Sequence, residues 1–184
     1  MPSSPVKSGK SVFARYRGDK RGVTAIEFAI VALPFFMLVL GIIEFGLAFL
    51  VNSLLDNATQ EASRLIRTGQ AQNQNLSKDQ FKTAICNKLT TVLCDQSRLY
   101  VDVRNYPSFS SINTPPEFYD EDAATEADKD KSTYLIGGAE DIVLTRVTYR
   151  WPMFSSMFKF DSGDSSDMYR NLSSTVVFKS EPFQ

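Results

Sequence analysis

Glu27 is the residue most in need of a chemical reason. It stands five positions after Gly22, at the head of the apolar stretch "VTAIEFAIVALPFFMLVLGIIEFGLAFL"; from Phe28 to Leu55 the only other charge is Glu44. A carboxylate at the centre of a membrane helix costs about 2.5 kcal/mol or more, and much less near the end of the span. Glu27 would lie about one turn into the helix, where unpaired backbone N–H groups carry partial positive charge and favour an anion. From this residue alone the reading is an interfacial, N-terminal carboxylate.

Other candidate chemistry is thin. The chain has no histidine, no Gly-x-Ser-x-Gly elbow and no glycine loop able to cradle phosphate, so nothing is poised for acid–base work near neutrality. Carboxylates are plentiful in the run from Asp120 to Lys131 and in Asp161, Asp164 and Asp167, but neither stretch follows the residue order of a calcium loop. Crowded in polar sequence, they read as solvated loops rather than a cleft. Two cysteines without histidine fall short of the four ligands of a structural zinc site. No metal, no cofactor and no catalysis are expected.

The elements that must carry these residues follow from length and charge. With 184 residues the chain can hold one modest domain plus appendages. Six cations (Lys7, Lys10, Arg15, Arg17, Lys20, Arg21) face only Asp19 in the first 22 residues, whereas beyond Val51 fourteen cations face eighteen anions. Between them lies the apolar run, and about 20 helical residues cross a ~30 Å hydrocarbon core. A basic flank before a single span predicts a cytoplasmic N-terminus, one pass through the membrane and an exported C-terminal head. Because the basic arm leads straight into the span, it does not read as a nucleic-acid module. A secretory signal would be shorter and would end at a small-x-small site, which neither Ala48-Phe49-Leu50 nor Val51-Asn52-Ser53 supplies.

Within the span Pro34 cannot donate to the carbonyl of Ile30, so a kink is expected, either a simple bend or a flexible point. Gly41 and Gly46 are five apart and do not make a Gly-x3-Gly face. Glu44 would fall about 32 Å along the helix from Val23 and reads as a snorkelling interfacial carboxylate in preference to a specific ion pair. Leu47, Leu50, Val51, Leu54, Ala58, Ala62 and Leu65 recur at three- and four-residue steps, so the helix should continue past the membrane as a stalk. Gly69 supplies its stop, with Arg64 and Arg67 suited to the negative end of the dipole; the rod to Thr68 would be about 70 Å long.

The head begins with a polar, loop-like Gln70 to Asn75. Ser77 and Gln80 form a capping-box pattern for a helix whose apolar face is Phe81, Ile85, Leu89 and Val92. Cys86 and Cys94 would lie on the oxidising side and invite a disulfide, the alternative being two buried thiols. In an unbroken helix they would be about 12 Å apart, beyond the ~7 Å limit for bridging, so a bond requires the helix to break near Leu89 to Thr91. "LYVDVRN" alternates as a strand with one buried face, Leu99, Val101 and Val103; Ile142 to Trp151 and Ser174 to Ser180 are two further strands. The expected fold is therefore α+β: a long N-terminal transmembrane and stalk helix, then a small exported head with a helix and an antiparallel sheet of about three strands. The insert at 107–138, with Pro115-Pro116 and the acidic run, reads as a mobile surface loop. Trp151, Phe154, Phe158 and Phe160 read as core rather than contact surface.

The arrangement of basic arm, Gly22, Val23-Thr24-Ala25-Ile26-Glu27-Phe28 and span resembles the class III signal of type IV prepilins. "RGVTAIEFAIVALPFFMLVLGIIEFGLAFL", the following "ATQEASRLIRTGQA" and the closing "STVVFKSEPF" are similar to TadE/TadF-type minor pseudopilins of the tight-adherence pilus machinery. The resemblance covers Arg21 to Gln70 and is loose beyond; the chain departs from the much shorter major pilin of such systems. It implies cleavage by a prepilin peptidase after Gly22, leaving Val23 as the new N-terminus. It also implies that Glu27, beside Phe28, neutralises the new amine of a neighbouring subunit. A glycine suits an extended backbone entering a tight protease cleft. The divisions are then a leader at 1–22, a span at 23–51, a stalk at 52–69 and a head at 70–184. The implied partners are the membrane, the peptidase, other pilin or pseudopilin subunits and the assembly platform. The competing reading is a signal-anchored extracytoplasmic binding protein that keeps its basic arm.

Overall fold

The computed structural model of the chain describes residues 23–89, 93–120, 123, 125–153 and 169–183. The basic arm with Gly22, and Val92, Phe154, Phe158, Phe160, Asp161, Asp164 and Asp167, lie outside the described residues. The chain divides into two compact units, Met1–Ile42 and Ile43–Gln184.

The first unit holds the opening of helix α1 (Val23–Arg67). Ala, Leu, Ile, Phe and Met fill it, and the helix is assigned without interruption through Pro34. Its large side chains point outward: Ile26, Phe28, Ile30, Val31, Leu33, Phe35, Phe36, Leu38 and Leu40 are all more than half exposed. A surface of this kind is stable only against lipid or another apolar surface.

In the second unit α1 buries Ala48, Val51, Leu55, Ala58, Ala62 and Ile66, a stripe at three- and four-residue steps. The stripe is rotated from the expected one. Leu47 and Leu50 face outward, and Leu54 and Leu65 sit half-buried at its margin. The helix ends as expected at Gly69, where φ is +78° and the Gly69 N–H donates to the Ile66 carbonyl at 3.1 Å. The Phe183 ring occupies the space a Cβ at Gly69 would need, and the Glu181 N–H donates to the Arg67 carbonyl at 2.9 Å. The tail is thereby fastened to the end of the stalk.

Residues 70–75 were expected as a loop, but Gln70–Asn73 forms a single helical turn, α2. It buries Ala71, whose carbonyl accepts from the Leu76 N–H at 2.8 Å. Helix α3 (Lys78–Leu89) opens with the expected capping box: the Ser77 N–H donates to Gln80 Oε1 at 2.9 Å, and the Gln80 N–H to Ser77 Oγ at 3.2 Å. Phe81, Ile85 and Leu89 are fully buried, each worth about 1.5–3 kcal/mol of transfer free energy. The helix stops at Leu89, which lets Cys86 and Cys94 form a disulfide with their Cα atoms 5.3 Å apart.

Strands β1 (Leu99–Tyr106), β2 (Ile142–Pro152) and β3 (Tyr169–Lys179) form one antiparallel sheet in that order, so the fold is α+β. β3 begins five residues before the expected Ser174, because Tyr169 to Ser173 pair with Pro152 to Thr148 although their sequence is polar. Pairing puts Leu99 opposite Tyr149 and Val101 opposite Val147, on the face shared with Leu172, Val176 and Phe178. These residues join the α1 stripe and α3 in one core.

Two expectations about the opposite face are corrected. β1 is buried on both faces, with Tyr100 and Asp102 as inaccessible as their neighbours. The insert at 107–138 accounts for this, for it packs on the sheet instead of moving freely over the surface. The Val103 N–H donates to the Thr133 carbonyl at 2.7 Å and the Leu135 N–H to the Val103 carbonyl at 2.8 Å, capping the free edge of β1. Within the acidic run a short helix, α4 (Glu126–Lys129), carries a buried Lys129.

Candidate functional site

In the first unit, Val23 begins the helix and places Glu27 one turn further on, about 6 Å along the axis. The Glu27 side chain is exposed and Phe28 is 70% exposed, so the acid and the aromatic ring next to it are both open to a partner. The helix is long and apolar enough to cross a membrane, and little of that surface is covered. Pro34 lies inside it; the absent N–H frees the Ile30 carbonyl. Gly22 is outside the described residues, so of the processing pair only the backbone of Val23 is placed.

Glu44 opens the second unit's stretch of α1. It was expected to reach water as a snorkelling carboxylate, but it is only 6% exposed, shielded on the face of α1 that carries Ala48 and Val51. The adjoining Phe45 ring lies 5.5 Å from the Arg170 guanidinium.

The head contains a polar anchor that sequence reading missed. Asp102 is fully buried on the sheet's second face. It accepts from Arg104 Nε at 2.9 and 3.1 Å, from Arg146 Nη2 at 2.6 Å and Nε at 3.2 Å, and from the Thr133 N–H at 2.8 Å. Arg146 also donates to the Pro116 carbonyl at 2.7 Å and stacks over Phe118 at 4.5 Å. One carboxylate thus ties β1, β2 and both ends of the insert. The available signal was an aspartate in a strand; its partner Arg146 is directly opposite, which only the register reveals.

A second tie joins the insert to α3. Lys78 Nζ donates to Asp130 Oδ2 at 3.0 Å and to Ser132 Oγ at 2.6 Å, and Ser132 Oγ also hydrogen-bonds Asp130. Burial works to raise the Asp130 pKa, but the hydrogen bonds from Ser132 and Lys78 outweigh it and hold the carboxyl below its ordinary value. Burial pushes the Tyr134 phenol up to about 12. The Lys82 ammonium is lowered, by burial first and then by neighbouring Lys78. Beside the disulfide, the Tyr149 hydroxyl donates to the Leu93 carbonyl at 2.8 Å and accepts from the Asp95 N–H at 3.2 Å, fixing the backbone that carries Cys94. These ties shape the head. Asp130 and Lys82 line an open groove of about 680 Å³ with Arg98, Tyr100, Arg150 and Tyr169. Among the described residues no group of three or more His, Cys, Asp or Glu could hold a metal ion.

No curated protein and no solved structure matches the chain. Residues 22–64, the stretch that holds Val23, Glu27, Phe28, Pro34 and Glu44, match the family model described as TadE-like protein. Over that segment the chain is similar to the TadE-like proteins of the Tad pilus system.

Proposed function

We propose that the chain is a minor pilin-like structural subunit for assembly of a tight-adherence pilus, trimmed by a prepilin peptidase after Gly22. The basic leader stays in the cytoplasm and the head is held in the periplasm by α1 in the cytoplasmic membrane. The observation that carries this reading is the exposed Glu27 at the start of an uncovered apolar helix, within the segment that matches the family. A carboxylate in that setting gains most from a cation brought by another subunit, and the α-amino group of a neighbouring Val23 is such a cation. The head then acts as a bound, non-catalytic component among pilin subunits and the assembly platform.

N-terminal sequencing and intact mass of protein extracted from cells with an active prepilin peptidase test this. The expected mature chain starts at Val23; a chain that keeps Met1 to Gly22 would instead support a signal-anchored binding protein outside any filament. Glu27→Gln should leave cleavage intact and abolish incorporation, and unchanged incorporation would remove the pairing role.

A further inference from the structure

The two outer edges of the sheet differ. That of β1 is closed by the hydrogen bonds from Val103 to Thr133 and from Leu135 to Val103. Strand β3 pairs with β2 on one side, and among the described residues no other backbone group bonds to Tyr169–Lys179. Alternate residues of such an edge strand direct both N–H and C=O outward, a template for a further strand. Along this edge α1 and β3 leave an open groove of about 880 Å³. It begins at Leu54, beyond Leu50, the last of the large exposed apolar side chains of α1, and so stands clear of the hydrocarbon on a helix that spans a membrane. Thr175 to Phe178 line its β3 side, and four strand residues cover about 13 Å. Leu54 and Ala58 supply apolar surface from α1. The charged lining is Arg64, Arg67 and, from α3, Lys88, against Glu61 alone. Arg67 lies 3.5 Å from Glu181 and Lys88 lies 3.9 Å from Glu61, in pairs that are about half exposed, and among the described residues Arg64 has no ion-pair partner. Ser63 also lines the groove; it is 2% exposed, and among the described residues its hydroxyl has no hydrogen-bond partner.

We infer that the free edge of β3 takes an extended acidic segment of another protein as a fourth strand of the sheet. An extended backbone matches the row of outward N–H and C=O groups, and its alternating side chains give one set to Leu54 and Ala58. A carboxylate on that segment meets Arg64, and the Ser63 hydroxyl is there for a polar group. A second copy of this chain is not the occupant. Within the second unit β3 runs the same way as α1, because Arg170 lies over Phe45 at its start and the Glu181 N–H reaches the Arg67 carbonyl just past its end. Copies inserted in one membrane therefore hold their β3 strands parallel, which closes the symmetric antiparallel pairing of two β3 edges to them. The inference concerns the head and stands with or without cleavage at Gly22.

The test uses the full chain in detergent and, as probe, a short fluorescein-labelled peptide that alternates valine with glutamate. Fluorescence anisotropy should report saturable binding, and hydrogen exchange read by mass spectrometry should slow in Tyr169–Lys179 while β1 is unchanged. The same peptide with its backbone nitrogens methylated should not bind, and one that alternates valine with lysine should bind more weakly. Arg64→Gln should weaken the acidic peptide about fivefold, the upper value of one exposed ion pair. Arg64→Lys should keep most of the binding, and Lys82→Gln, an equal change of charge in the separate groove beside Asp130, should leave it unaltered. No saturable binding, no slowing in β3 at saturating peptide, binding that survives methylation, or equal loss in the two glutamine variants would overturn the proposal. Slowing of β3 that follows protein concentration without any peptide would give the edge to a second copy and overturn it as well.

Discussion

Asp102 shows how much one buried side chain can organise. Removing its charge leaves Arg104 and Arg146 facing a neutral amide in a place closed to water, and breaking such a pair costs about 3 kcal/mol. Asp102→Asn should lose that much stability in urea unfolding of the detergent-solubilised chain, and the insert should gain protease sensitivity before the helices do. Asp130 gives a pH prediction with a definite sign. Its carboxyl is depressed in the folded chain, so its contribution is present above the ordinary value of 3.8 and is lost as pH falls through the lower, folded value. Lys78→Met should weaken that acid-side loss of stability, measured as unfolding midpoint against pH.

At the scale of elements, the turn after α1 is the most exacting joint. Gly69 has a left-handed backbone and abuts the Phe183 ring, so Gly69→Ala meets both a backbone cost of about 1–2 kcal/mol and a clash. The variant should melt earlier in a thermal scan, and shortening Phe183 to alanine as well should recover only the clash. The helix stop at Gly69 was legible in sequence, as were the Ser77–Gln80 box and the apolar face of α3, because each rests on contacts three or four residues apart; the Phe183 ring against Gly69 was not. The second face of β1 and the early start of β3 were not. Both depend on residues far along the chain: Thr133 and Arg146 for Asp102, and Pro152 to Thr148 for the polar opening of β3. The misplaced stalk stripe has a similar cause, since periodicity gives the spacing of a helical face but a neighbouring sheet decides which of two adjacent faces is buried. Glu27 was found by its incongruity in an apolar run.

For the whole molecule, the uncovered side chains from Ile26 to Leu40 predict integral membrane behaviour. The protein should stay in the membrane pellet through high-salt and alkaline carbonate washes and be released by detergent. The disulfide between Cys86 and Cys94 adds a consequence of its own. Both sulfurs belong to the head, so on the proposed topology the chain keeps a chemical record of the compartment that its head has visited. Acid-precipitating cells, redissolving the protein in denaturant at neutral pH and adding a bulky maleimide would read that record: unmodified protein would be a translocated head, doubly tagged protein one still in the reducing cytoplasm. The ratio of the two would time export molecule by molecule, with no label engineered into the sequence.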